Sequence, residues 1–225
     1  MMRSILICCS LFLIVAGLRA QDVRQVGPFD QLIVTGKLDV TLEAGDAEEV
    51  IIDALNLNED DVNLTLRDGE LKVGLVDGWF RDDSRVRVTV RYRSLNRIRA
   101  QAGAVLASHN MITGDRLEIK ASSGAEVRLE IEADVLEAGA AEGAQLELTG
   151  QVNTQYVTAN TGGEYDGDRL EADRTEVRAN TGGEAWVIAR TYLDASAHTG
   201  GEVFYKGDPE EKYTKSNLAG EIRSF

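Results

Sequence analysis

Residues 156–167 (YVTANTGGEYDG), 177–188 (VRANTGGEAWVI) and 193–205 (LDASAHTGGEVFY) carry nearly the same phrase three times. The shared unit, A-x-T-G-G-E, is the clearest part of a longer series of corners that contain glycine. The first glycines of these corners are Gly103, Gly124, Gly143, Gly162, Gly182 and Gly200. Their spacing of 18–21 residues indicates a repeat architecture rather than a set of unrelated turns.

Residue types at fixed distances from each corner glycine identify the secondary structure of the repeat. The residue three positions earlier is alanine in every unit. The residues five positions earlier and three positions later are apolar or aromatic, and the positions between them are mostly polar. Because this alternation has a period of two, it predicts short strands and excludes a helical repeat.

The repeat therefore predicts an all-β fold, a parallel β-helix (solenoid) with 18–21 residues per coil over residues 99–205. Stacked coils lie about 4.8 Å apart, so equal positions of successive units lie above one another. The alanine column follows if only a small side chain fits inside the bend, and glycine supplies the backbone freedom of the turn. Asn160 and Asn180 are expected to stack at the corner.

The two ends of the chain are expected to close the solenoid. Residues 22–98 lack the regular repeat, but they alternate apolar and polar residues and contain a turn at Asp68–Gly69. They predict a strand-rich N-terminal cap, which is needed because an open end would expose unpaired strand edges. Residues 206–225 are expected to cover the other end as a C-terminal cap.

The first twenty residues have the layout of a secretory signal peptide. Arg3 precedes an apolar run that is shorter than a membrane-spanning helix, and Ala20 stands at the expected cleavage point. Lipid attachment at Cys9 is disfavoured because Ile7 and Cys8 are not the small residues that such a site prefers. The sequence thus predicts an exported single domain, residues 21–225, located in the periplasm, on the outer-membrane surface or outside the cell.

The charge of the chain limits its partners. Without Arg3 and Arg19, the chain keeps 22 basic and 38 acidic residues, a net charge of −16. A protein this acidic is not expected to bind nucleic acid or an anionic membrane as its main partner. No cysteine remains after residue 20, which excludes disulfides, a thiol nucleophile and thiolate metal ligands in that part.

Several motifs resemble those of the GIN domain, the putative auto-transporter adhesin head domain. The motifs are Phe29-Asp30-x-Leu32-x-Val34-x-Gly36, Val40-x-Leu42-x-x-Gly45-Asp46, Asp68-Gly69-x-Leu71-x-Val73, Leu95-x-x-Ile98 before Ala102-Gly103-Ala104, and Tyr205-x-Gly207-x-Pro209. The resemblance covers nearly all of residues 21–225. It implies a right-handed β-helix of the pectin-lyase-like type in a secreted or envelope-located protein, with adhesion as the suggested role. It implies no catalytic residues.

A column of carboxylates is the first candidate site. Glu164, Glu184 and Glu202 each follow a corner at the same distance and are expected to lie above one another. Such a column could attract a hard divalent ion such as calcium, which binds six or more oxygen ligands. The alternative is a solvated ladder of acidic side chains, and this alternative is favoured.

Aromatic and arginine side chains supply the candidates for ligand binding. Trp186 and Phe204 occupy one outward position in consecutive coils, where they could contact a sugar or a partner protein. Trp79 lies in a polar loop and could form a contact tip. The arginines at alternate positions could meet acidic glycans, or they could pair with acids on adjoining strands; these are Arg85, Arg87, Arg91 and Arg93.

These features favour an exported, non-enzymatic β-helix that binds a cell-surface glycan or an envelope protein, with no required cofactor. One alternative is a carbohydrate-active enzyme that uses outward carboxylates such as Glu147 and Asp166. The other alternative is a purely structural module that takes part in assembly. No catalytic residue is assigned, because the chain is rich in acids and carboxylate pairs arise by chance.

Overall fold

The computed structural model describes residues 22–54, 62–76 and 86–225. These residues form strands joined by turns, with no helix among them, which confirms the all-β prediction. The strands are β1 (Asp22–Gln25), β2 (Gln31–Thr35), β3 (Leu38–Ala44), β4 (Glu49–Ala54), β5 (Val62–Arg67), β6 (Glu70–Leu75), β7 (Val86–Tyr92), β8 (Arg97–Gln101), β9 (Val105–Ser108), β10 (Ile112–Ser122), β11 (Glu126–Ala141), β12 (Gln145–Asn160), β13 (Glu164–Asn180), β14 (Glu184–Ile188), β15 (Tyr192–His198), β16 (Glu202–Lys206), β17 (Glu211–Asn217) and β18 (Glu221–Ser224).

From β8 onward the chain winds through about seven stacked coils of a parallel β-solenoid, as the repeat predicts. Each regular coil contributes to two main faces. Sheet A contains β2, β6 and β8, the carboxyl-terminal parts of β10 to β13, and then β15 and β17. Sheet B contains β3, β7 and β9, the amino-terminal parts of β11 to β13, and then β14, β16 and β18.

The core of the solenoid is built by the inward positions of both sheets. The predicted alanine column is buried throughout: its members are Ala100, Ala121, Ala140, Ala159, Ala179 and Ala197. The apolar columns on either side of it are buried as well, from Ile98 to Ala195 in sheet A and from Leu106 to Val203 in sheet B. The period-two pattern thus places one apolar face of every strand inside the coil.

The N-terminal strands extend the same sheets, but their order in space differs from their order in the chain. The coil formed by β2 and β3 lies between the coil of β6 and β7 and the coil of β8 and β9. Beyond β6 and β7, the sheets continue through antiparallel pairings of β5 with β6, of β4 with β7 and of β1 with β4. These antiparallel strands cover the edge of the first coil, and the predicted Asp68–Gly69 turn joins β5 to β6.

Each corner has a left-handed backbone at two consecutive residues, for example Thr181 (φ 51°) and Gly182 (φ 70°). Thr181 is β-branched, and this conformation is strained for such a residue. Backbone hydrogen bonds to the next coil hold the corner, since Thr181 N–H donates to His198 (3.2 Å) and Gly182 N–H donates to Thr199 (3.2 Å). The predicted asparagine stack is also present, with Asn180 Nδ2 donating to Asn160 Oδ1 at 3.0 Å.

The second glycine of the T-G-G-E motif is required for a different reason. Gly163, Gly183 and Gly201 have no left-handed φ, yet a Cβ on any of them would overlap with the backbone of the preceding coil. At Gly183, for example, the overlap is with the carbonyl group of Ala159. The motif therefore contains one glycine that the turn requires and one that close packing between coils requires.

Residues after 206 form a further coil. β17 pairs in parallel with β15, and β18 pairs in parallel with β16. A seventh corner joins them, with Leu218 (φ 48°) and Ala219 (φ 63°) in place of threonine and the first glycine. These residues thus add a last coil, in which the position equivalent to buried Leu193 is the exposed Lys212.

Candidate functional site

Sheet B carries two parallel columns of outward side chains. The first is acidic, and in-register pairing stacks Glu164, Glu184 and Glu202 as predicted. Glu221 extends this column in the last coil, and Gln145 precedes it. Burial raises the pKa of Glu184, and the carboxylates of Glu202 and Glu164 raise it further. The column is therefore a half-buried row of like charges that repel one another.

The acidic column does not have the arrangement of a chelating site. Among the described residues, no group of three or more histidine, cysteine, aspartate or glutamate side chains is placed to hold a metal ion. The three glutamates come from successive coils in one straight row, whereas calcium needs oxygens that surround it. The geometry thus agrees with a solvated ladder better than with a calcium site.

The second column places Trp186 beside Phe204. Their ring centroids are 4.9 Å apart and their planes differ by 13°, so the two rings are stacked. Both side chains are half-buried. Because the two rings are stacked, one face of each ring is covered by the other ring. Asp166 precedes the pair in the column and Arg223 follows it.

A small acidic groove lies next to this pair. It has a volume of about 60 Å³, and Glu126, Glu147, Glu164 and Asp166 are among its lining residues. Burial raises the pKa of Asp166, and the charges of Asp168 and Glu147 add to this effect. Glu147 forms ion pairs with Arg128 (3.4 Å) and Arg169. A groove of this size cannot hold a sugar ring, since ligand pockets measure roughly 300 Å³ or more.

A bulge in β13 begins at Asp166, beside the groove. The register of β12 with β13 shifts between Glu147 and Thr149, which adds one residue to β13. The backbone N–H of Asp168 donates to Asp166 Oδ1 at 3.1 Å within this bulge. Gly167 is needed there, because a Cβ would lie 2.8 Å from the buried ring of Tyr165.

The arginine row of β7 is paired with acidic residues of its neighbours. Arg87 contacts Asp53 at 3.3 Å. Arg91 contacts Glu43 at 3.0 Å and also Glu49, and its pKa is raised by hydrogen bonds to these two carboxylates. Arg93 donates to the backbone carbonyl of Asp46 at 2.8 Å. Of the two interpretations of this row, cross-strand pairing is therefore the one that the contacts favour.

Two of the predicted binding residues cannot be placed. Trp79 and Arg85 lie outside the described residues, as does the predicted signal peptide at 1–20. The remaining candidates fall into two groups, because Trp186, Phe204 and the glutamates share sheet B, whereas the arginines of β7 lie at the N-terminal end of that sheet.

Sequence reasoning missed a surface feature on sheet A. The outward column from Arg99 to Arg178 passes through Lys120, Gly139 and Thr158, so one coil has no side chain at this position. A shallow depression results around Gly139. The signal was present in the sequence, since glycine interrupts a column of longer polar residues.

The fold and these surfaces define a β-solenoid whose outer faces carry columns of aligned side chains. Residues 28–209 match the family described as putative auto-transporter adhesin, head GIN domain. The chain belongs to this family, as its motifs suggested. No curated protein matches the chain.

Solved structures share the fold. A putative adhesin from Bacteroides fragilis NCTC 9343 is similar with a TM-score of 0.83 and 18% identity, covering 92% of this chain and 96% of the other. A putative adhesin from Parabacteroides distasonis ATCC 8503 has a TM-score of 0.71 and 16% identity, with 92% and 96% covered. A putative lipid binding protein from the same strain has a TM-score of 0.66 and 18% identity, with 91% and 96% covered. At these identities the likeness shows the fold alone.

The described residues contain no helix that is long and apolar enough to cross a membrane.

Proposed function

We propose that this chain is an exported, non-enzymatic binding protein that holds a glycan or a partner protein at the bacterial cell envelope. In this proposal, residues 1–20 direct export and residues 21–225 form one binding domain. Membership of a family described as adhesin heads supports a role in surface binding. The adhesin-like structures support a solenoid of this shape as the binding element.

The observation that carries the proposal is the stacked pair of Trp186 and Phe204 on the outer surface of sheet B. The pair is held rigidly, because each residue belongs to a strand that is hydrogen-bonded on both sides. Half-buried aromatic side chains give a large contact area at low entropic cost. The neighbouring glutamates can accept hydrogen bonds from sugar hydroxyls or from lysine and arginine side chains.

The negative charge of sheet B limits the kinds of ligand that this face can bind. The acidic column runs beside the aromatic pair and would repel an anion. The ligand of sheet B is therefore a neutral saccharide or a basic surface of a protein.

The alternative of a carbohydrate-active enzyme depends on Asp166. Its raised pKa is the kind of perturbation that marks acid catalysts. Two observations argue against this interpretation. The adjoining groove is too small for a sugar ring, and Glu147 forms ion pairs with two arginines. Binding without turnover is thus the better supported function.

The test is binding of the purified chain, from residue 21 onward, to an array of neutral glycans with and without calcium. We expect selective binding that Trp186→Ala abolishes. Glu184→Gln is expected to weaken it, because the variant removes one carboxylate without changing the shape of the side chain. A blank array in both conditions would contradict glycan binding by this face.

A matched control separates loss of the site from loss of the fold. Tyr213 is 57% exposed and lies on sheet A, so Tyr213→Ala removes an aromatic side chain without touching sheet B. Its binding should equal that of the unchanged chain. All variants are compared by thermal unfolding, because removal of a stacked ring also costs about 0.5–1.5 kcal/mol beyond its buried area.

A further inference from the structure

A trough crosses sheet A where one coil carries almost no outward side chains. In the segment 137–141, Glu137, Gly139 and Ala141 point outward, whereas Ala138 and Ala140 are buried. Two adjoining depressions of about 430 and 480 Å³ meet over Gly139 and share Lys120 and Thr158. Each has the volume of an ordinary ligand site, which is roughly 300–1,000 Å³. We call this feature the Gly139 trough.

The fold does not require glycine at position 139. Gly139 has no left-handed φ, unlike the corner glycines. A Cβ there would meet only the flexible side chain of Lys120, with Cγ at 3.4 Å. Glycine inside a strand weakens it and often marks a place where a ligand approaches the backbone closely. The missing side chain therefore has no structural cause that the surrounding coils supply.

The trough is locally basic on an acidic protein. Glu118 accepts hydrogen bonds or ion pairs from Arg97 (2.8 Å), Arg99 (2.9 Å) and Lys120 (2.8 Å). Of these three cations, Arg99 and Lys120 line the trough. They share the single charge of Glu118 with Arg97, so the rim of the trough is net positive. On the other side, Arg116 pairs with Glu137 and adds no net charge.

The low pKa of Glu118 agrees with this surplus of positive charge. Burial opposes its ionisation, but hydrogen bonds from Lys120, Arg99 and Arg97 outweigh burial and lower its pKa to about 2. The whole chain carries a net charge of −14, so the rim reverses the sign of its surroundings.

The other walls offer contacts that suit a sugar. Tyr156 is 41% exposed at one end, and its neighbours in the column are Glu137 and Glu176 rather than aromatic residues. Its ring is therefore not covered by a stacked ring, in contrast to Trp186. Hydroxyl and amide groups of Ser122, Thr158 and Asn160 line the trough and can exchange hydrogen bonds with sugar hydroxyls.

We propose that the Gly139 trough is a second binding site, which takes an anionic saccharide whose sugar units carry carboxylate or sulfate groups. Arg99 and Lys120 contact the anionic groups, the Tyr156 ring packs on a sugar, and the open backbone at Gly139 lets the chain of sugars lie close to the sheet. The site lies on a different face from Trp186 and Phe204, and it needs neither of them. The trough favours an anionic ligand, whereas sheet B disfavours one.

The test is calorimetric titration of the chain from residue 21 onward with four probes. They are an oligosaccharide of uronic acids, a sulfated dextran oligosaccharide, unsubstituted dextran of the same length and poly-glutamate. We expect at least one acidic saccharide to bind, with weaker binding as salt is raised. Unsubstituted dextran should not bind at the trough, so any dextran binding should be the same in Gly139→Thr as in the unchanged chain. Poly-glutamate should bind at least about tenfold more weakly than the acidic saccharide.

Gly139→Thr is the decisive variant, because it fills the trough while improving the strand. We expect it to lower affinity for the acidic saccharide at least about tenfold and to leave the unfolding midpoint unchanged or higher, because threonine favours strands. Ser196→Thr places a threonine in the same column two coils beyond Thr158 but fills no trough, and it should bind normally. Lys120→Gln should weaken binding and its salt dependence, and Trp186→Ala should have no effect.

Three results would overturn the proposal. The first is that neither acidic saccharide binds. The second is that Gly139→Thr binds as tightly as the unchanged chain. The third is that poly-glutamate binds as tightly as the saccharides, which would make the trough a site for acidic peptides. None of these results bears on glycan binding by sheet B, which Trp186→Ala tests separately.

Discussion

Tyr165 donates a hydrogen bond of 2.9 Å from its hydroxyl group to Oε1 of Gln155 inside the solenoid. The Gln155 amide donates in turn to Thr175 Oγ1 (3.0 Å) and to the carbonyl of Ile188 (3.1 Å). All three polar side chains are fully buried, and burial raises the pKa of the Tyr165 hydroxyl. The network gives every buried polar group in this part of the core a partner, as a stable interior requires.

Removing the Tyr165 hydroxyl should destabilise the solenoid. Tyr165→Phe leaves Oε1 of the buried Gln155 without its donor, which costs roughly 1–3 kcal/mol. Chemical denaturation measures this loss as a lower midpoint. Tyr156→Phe is the control, because that hydroxyl is on an exposed residue and its removal should change nothing. Equal midpoints for the two variants would show that the network does not contribute.

The two glycines of one corner should differ in their tolerance of alanine. Gly182 has a left-handed φ but open space around its Cβ position, so Gly182→Ala should cost roughly 1–2 kcal/mol. Ala219, at φ 63°, shows that alanine can occupy the equivalent place. Gly183→Ala should cost more, because the new Cβ overlaps with the carbonyl group of Ala159. Unfolding curves that rank the two variants in the opposite order would contradict this assignment of roles.

The ion cluster around Glu118 should make stability depend on pH in the acid range. The folded-state pKa is about 2, below its ordinary value of 4.5. The stabilisation is therefore present above pH 4.5 and is lost as the pH falls toward 2. Glu118→Gln should lower the thermal midpoint at neutral pH, and the difference from the unchanged chain should shrink across this window. Glu132→Gln, at an exposed outward position, is the control for removing a carboxylate elsewhere on the surface.

Glu184 should behave in the opposite way. Its pKa is raised by burial and by Glu202 and Glu164, so its ionised form destabilises the fold at neutral pH. Stability should rise as the pH falls through this raised pKa. Glu184→Gln should therefore raise the unfolding midpoint at neutral pH, with a smaller gain in acid. An unfolding midpoint of Glu184→Gln below that of the unchanged chain would mean that the ionised carboxylate stabilises the fold, which would contradict this prediction.

Calcium provides a separate test of the same column. Because the glutamates form a straight row and not a chelating group, calcium should leave the thermal midpoint unchanged beyond the general effect of salt. Sodium chloride at equal ionic strength is the control. A rise in midpoint with calcium that Glu184→Gln abolishes would restore the interpretation of Glu164, Glu184 and Glu202 as a metal site.

The regular part of the fold could be predicted because identical coils stack in register. A constraint at one corner then repeats at every corner, as the alanine at position 179 and the glycine at position 182 show. The seventh corner could not be recognised in this way, because Leu218 and Ala219 adopt the same backbone without the first glycine. Contacts between coils hold that backbone, and they depend on the neighbouring coil rather than on local sequence.

The order of the first coils also could not be predicted. Pairing of β2 with both β6 and β8 joins residues that are distant in the chain, and alternation alone does not choose partners for a strand. Of the candidate site, the stacking of Trp186 on Phe204 followed from their equal positions in the repeat. The Gly139 trough did not, since it arises from an absent side chain bounded by residues from neighbouring coils.

The central claim, that the chain binds saccharides on its outer faces without cleaving them, can be tested in one measurement. The chain from residue 21 onward is incubated with each glycan that it binds, and bound ligand and newly formed reducing ends are measured together over time. The account predicts saturable binding with no increase in reducing ends. Reducing ends that accumulate with the unchanged chain and not with Asp166→Asn would contradict it and would establish a carbohydrate-active enzyme.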